Sequence, residues 1–142
     1  MAGLTNTFEA QMLDHLFGKA TLTAPSNIFV GLSTTTPTEA GGNITEPSGS
    51  NYSRQSTSPS DWNAAATAGD TTTLDNANQI SFTQANADYS SGANITHVVL
   101  YNSSSGTAAS NVIGFGALTV AKPILNGDTP IIAAGSLDIT LD

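Results

Sequence analysis

After Gly18 the apolar residues of this 142-residue chain stop recurring every three or four positions and begin to alternate. That change of period confines helix to the start and leaves strands for the rest. Before it, Phe8, Met12 and Leu16 stand at i, i+4 and i+8, Leu4 extends the row backwards, and Leu13 and Phe17 widen it, the spacing of an amphipathic helix over residues 4–17. Thr5 or Asn6 can cap its start, Glu9 lies near its positive end, and Gly18 and Lys19 suit its C-terminus. This helix either covers one edge of a β core or docks on a neighbouring subunit.

From about residue 27 to 142 the pattern is strand-like. Ile28, Val30 and Leu32 alternate with Phe29, Gly31 and Ser33, and Leu137, Ile139 and Leu141 alternate with Asp138, Thr140 and Asp142. The continuous apolar part of Ile95–Tyr101 predicts a central strand covered on both faces. In Val112–Val120, Ile113, Phe115 and Ala117 share one face, while Gly114 and Gly116 leave the other bare for close approach. Short strands are also expected at 52–57 and around Ile80 and Phe82. The polar middle, about 41–78, reads as long loops, with Ala64–Ala66 able to form a helical turn. One N-terminal helix, many short strands and no βαβ alternation predict a mainly β protein: one antiparallel β-sandwich domain, jelly-roll-like, over residues 1–142.

Composition narrows function by exclusion. Only Lys19, Arg54 and Lys122 are basic against eleven acidic residues, a net charge of −8, and charged residues of both signs make up 10% of the chain. Binding to nucleic acid or anionic membranes draws on Lys and Arg, so neither partner is expected. No apolar run approaches the roughly 18 residues of a membrane span. The start lacks the basic and apolar segments of a secretory signal, which predicts a product assembled in the cytoplasm. In place of charge stand 20 Thr, 16 Ser and 12 Asn, a surface kept wet by neutral hydroxyls and amides and poor in acid–base groups.

Catalysis, metal and cofactor sites are not expected. His15 and His97 are the two imidazoles, and no serine lies in a G-x-S-x-G elbow. There is no cysteine, and the oxygen-rich stretch Asp70–Asn76 lacks EF-hand spacing. The aromatics remain. Trp62, alone in a polar loop, either pins that loop to its own domain, meets another subunit or offers a sugar platform.

Several ordered motifs carry a resemblance. Met12-Leu13-Asp14-His15-Leu16-Phe17-Gly18 is followed by Thr23-Ala24-Pro25 and the Thr34–Ala40 turn. Glu46-Pro47-Ser48-Gly49 precedes Tyr52-Ser53-Arg54-Gln55, and Ile95-Thr96-His97, Gly116-Ala117-Leu118-Thr119, Asn126-Gly127-Asp128-Thr129 and Ala134-Gly135-Ser136-Leu137-Asp138-Ile139 complete the series. In this order they resemble small tailed-phage virion proteins labelled tail fibre or minor structural proteins. Between Ser58 and Asn94 the chain is longer and more polar than that pattern.

The resemblance implies a virion structural protein rather than an enzyme. The expectation is a capsid decoration (cement) protein bound to the major capsid protein or other virion proteins as a homo-oligomer, a trimer favoured. The alternative is a tail-associated fibre or adhesin module contacting a host glycan. Phe8, Met12, Tyr52, Arg54 and Trp62 are the candidate interface residues.

Overall fold

A computed structural model describes residues 2–141. Ten strands and one α-helix follow in the order β1 (Ala2–Leu4), α1 (Asn6–Leu16), β2 (Ile28–Ser33), β3 (Gln55–Thr57), β4 (Ala66–Ala68), β5 (Thr71–Asp75), β6 (Ile80–Ser81), β7 (Ile95–Tyr101), β8 (Val112–Lys122), β9 (Ile131–Ile132) and β10 (Asp138–Leu141). Eight strands form one sheet in the order β3-β2-β7-β8-β1-β10-β5-β4, and β6 pairs with β9 apart from it. All pairings are antiparallel except β1 with β10.

The main core lies between these two layers. Val30, Leu32, Ile95, Val98 and Leu100 of the large sheet meet Ile80, Phe82, Ala85, Tyr89, Ile124 and Leu137. The fold is therefore mainly β with a sandwich-like arrangement. Eight strands in one sheet and two in the other is an unequal division that does not establish a jelly roll, whose eight strands are shared between two sheets. Of the described residues, no helix is long and apolar enough to cross a membrane.

β7 is central as its apolar run predicts, flanked by β2 and β8. The start of the chain departs from expectation. Leu4 belongs not to the helix but to β1, which lies against β8 with Leu4 opposite Gly114 and Ala2 opposite Gly116. A Cβ on Gly114 would collide with the Gly3 carbonyl oxygen, so the bare glycine is what admits this strand. Thr5 holds the N-cap position, yet its hydroxyl does not cap the helix. It donates to the Val112 carbonyl at 2.8 Å and anchors the helix start to β8. At the other end Gly18, at φ +69°, and Lys19 donate their N–H groups to the carbonyls of His15 and Asp14, closing the helix as a Schellman motif.

The polar middle carries three strands. β3 extends the sheet beside β2, and β4–β5 form a hairpin over the two-residue turn Gly69-Asp70 that joins the sheet through β10. Ala66 lies in that hairpin rather than in a helical turn.

Candidate functional site

One ion pair, Arg54 with Glu46, organises a cluster of buried polar and aromatic groups. Arg54 extends its guanidinium to Glu46, Nε to Oε1 at 2.9 Å and Nη2 to Oε2 at 2.6 Å, a two-pronged pairing. Its Nη1 donates to the carbonyls of Ser103 and Gly106 at 2.8 and 2.9 Å, and its central carbon lies 3.4 Å from the centre of the Tyr101 ring. The Tyr52 hydroxyl donates to Glu46 Oε1 at 2.7 Å and accepts the Leu32 N–H at 2.9 Å. Tyr52 in turn stacks on Phe82 and meets the edge of Tyr89. Gly31 makes room for this cluster, since a Cβ there would stand 2.8 Å from the Tyr101 ring.

Burial and the nearby Glu46 charge hold the Tyr52 hydroxyl far above the ordinary phenol range. Tyr101 is pushed up to about 12 by burial and Glu46, against the opposing pull of Arg54. Burial works against the Arg54 charge, but the hydrogen bond and charge of Glu46 outweigh it and raise its pKa. The cluster clamps the 46–54 segment to the 103–106 turn and to β2. The motif pair Glu46-Pro47-Ser48-Gly49 and Tyr52-Ser53-Arg54-Gln55 thus carries an internal clamp that joins Glu46 to Arg54. A glutamate eight residues from one of the chain's three basic residues is the signal the sequence offers.

The five candidate interface residues are not brought together. Tyr52 and Arg54 belong to this clamp. Trp62 is half-buried against the main core, its indole N–H donating to the Thr57 hydroxyl at 3.0 Å and its backbone bridged to Asn76. Phe8 is buried where α1 meets the body of the fold, while Met12 lies on the exposed part of the helix.

Beyond Phe8 the apolar stripe of α1 is uncovered. Met12, Leu13, Leu16 and Phe17 are 39, 59, 75 and 71% exposed. Glu9, Met12, Leu13 and Leu16 stand at i, i+3, i+4 and i+7, which places one carboxylate on the same face. A second apolar surface lies between the end of β8 and the β6–β9 layer. It is a groove of about 410 Å³, walled by Leu118, Val120 and Lys122 on one side and by Phe82, Ile124 and Ile131 on the other.

The histidines have local partners. His97 Nδ1 is 2.8 Å from the Thr96 hydroxyl, and burial lowers its pKa. His15 Nδ1 accepts the Leu22 N–H at 3.3 Å. Thr71–Asp75 of the oxygen-rich stretch is strand, with Thr72 bonded to Thr67 across the hairpin. Among the described residues, no three His, Asp or Glu side chains converge as a metal site would require. Phe17 is the one exposed aromatic among them, and every Trp and Tyr is at least half-buried.

A family model described as Podophage GP4 fiber I protein gp80 matches residues 3–140. The chain belongs to this family. It is thus a member of a phage fibre family, a virion structural protein whose partners are other virion proteins, as the ordered motifs implied. The description speaks for the fibre alternative over capsid decoration. Among curated proteins none matches the chain.

Proposed function

We propose that this protein is a structural subunit of a tail-associated fibre, acting by holding virion components together and carrying out no chemistry. One observation carries the reading: the α1 stripe Met12, Leu13, Leu16 and Phe17 is left bare on a fibre-family chain. Apolar side chains gathered on one helix face favour a partner surface that removes them from water, at roughly 25 cal/mol per Å² buried. The unit is a homo-oligomer, a trimer favoured, because fibres repeat one subunit about an axis and cyclic closure satisfies every copy equally.

Within this reading Met12 meets a neighbouring chain and Phe8 anchors the helix that presents it. Tyr52, Arg54 and Trp62 serve the interface indirectly, by fixing the shape of their own subunit. Contact with a host glycan is assigned elsewhere on the fibre, because sugar binding favours exposed Trp and Tyr faces and this chain keeps its own at least half-buried. Gold-labelled antibodies against the purified protein test the reading on intact virions. Label at the tail is expected, and label spread over the capsid shell would overturn it.

A further inference from the structure

The uncovered helix face and the uncovered groove are at opposite ends of the same hairpin. α1 starts beside Val112, where Thr5 bonds to β8, and Phe8 and Gln11 lie near Asn102 and Asn111 at that end. The groove is walled by the far end of β8, Leu118–Lys122, and by Ile95 and Val98 at the start of β7. Ten residues of extended strand separate Val112 from Lys122, roughly 30 Å. No chain can therefore seat its own α1 in its own groove without leaving the β8 anchor.

Charge selects the occupant. With a net charge of −8, two copies repel unless the contact matches opposite groups. Of the three basic residues, Arg54 is committed to Glu46, and Lys19 lies just past α1. Lys122 is exposed on the groove wall. Asp128 also lines the groove, with its Oδ2 accepting the Leu125 N–H at 2.9 Å. The exposed helix face carries one acid, Glu9, among its apolar residues, so convex stripe and concave groove match in polarity, and Lys122 on the groove wall is the opposite charge available to Glu9.

We infer that α1 of one copy docks in the β8–β9 groove of the next, with Met12, Leu13 and Leu16 against Leu118, Val120 and Ile131, and Glu9 facing Lys122. The contact is head-to-tail: each copy gives a helix at one end and receives one at the other. Such a contact closes into a ring when the rotation permits and continues as a stack when it does not. The inference rests on the homo-oligomeric reading above and names its surfaces.

Charge reversal tests it on the purified full chain, with mass measured in solution over a range of concentrations. The wild type is expected to assemble. Glu9→Lys and Lys122→Glu should each raise the concentration needed by about a hundredfold, as facing like charges do. The double variant E9K/K122E should return most of that loss. Leu16→Asp should dissociate the assembly without rescue, and circular dichroism checks that each variant keeps its fold. A wild type that assembles while both single reversals leave it intact, or a double variant that stays dissociated, overturns this docking and leaves the oligomeric fibre reading standing. A wild type that stays monomeric at every concentration overturns both.

Discussion

Arg54 and Glu46 face each other through two parallel hydrogen bonds of 2.9 and 2.6 Å, with the Arg54 side chain 3% exposed and that of Glu46 24%. Removing one partner of such a pair leaves the other charged and poorly hydrated. Glu46→Gln and Arg54→Ala should each lower unfolding stability by about 3 kcal/mol. Arg54→Lys should recover little, because a lysine keeps the charge but not the fork or the stack on Tyr101. Urea unfolding measures this, and a loss below about 1 kcal/mol for all three would contradict the clamp.

Alkaline pH should unfold the protein through its tyrosines. Tyr52, Tyr89 and Tyr101 are all raised in the fold, in each case first by burial. A raised folded value means the neutral phenol is favoured in the native state. The associated stability is fully present below the unfolded value of about 10 and is lost as pH climbs beyond it. Tyrosinate absorbance should therefore appear together with the loss of the β circular-dichroism signal. Independent ionisation of all three phenols near pH 10 in the folded protein would contradict these environments.

Asn76, completely buried, knots the end of β5 to the approach to β10. Its Nδ2 donates to the carbonyls of Asn78 and Ala133, both at 2.8 Å, and its Oδ1 accepts the N–H groups of Ser136 and Leu137 at 3.1 and 2.9 Å. Asn76→Ala strands four backbone groups, at about 1–3 kcal/mol for each that water cannot reach. A loss of about 3 kcal/mol or more in denaturant unfolding is expected, and Asn76→Asp should not restore it, since a carboxylate cannot donate to the two carbonyls.

Gly114→Ala should loosen β1 from β8, because the new methyl group meets the Gly3 carbonyl. The Thr5 N–H, bonded to the Ile113 carbonyl at 2.9 Å, should then exchange with solvent at least about tenfold faster while β7 amides keep their protection. Unchanged Thr5 exchange would show that the helix does not depend on this seam.

The parts legible in the sequence are those whose pattern is local. The α1 period, its Gly18 stop, the β7 run and the alternation of β10 are each written in a few neighbouring residues. In β7 the apolar run also marks what is buried, whereas in α1 only Phe8 is covered and in β10 Leu141 is exposed. β1 was hidden because Leu4 continues the helical row of Phe8 and Met12. What draws it into the sheet is Gly114, more than a hundred residues away. β4 and β5 were hidden for another reason. Thr71–Thr73 are β-branched as strands favour, but neither they nor Ala66-Thr67-Ala68 show the apolar alternation that marks one buried face, so both segments read as loop. Period also identifies an apolar helix face without saying what covers it, and so left open whether α1 packs inward or outward. Tyr52 and Arg54 are interface candidates in the sequence, and the partner they meet in the fold, Glu46, comes from a separate motif and reaches them only when the 46–54 segment folds back.

Copy number separates the proposed tail-fibre subunit from a protein that coats the shell. Quantitative mass spectrometry of purified virions, counting this protein against the major capsid protein, tests the proposal most directly. A fibre subunit should be present in few copies, a small multiple of its oligomer. A count near the number of capsomers would contradict the account.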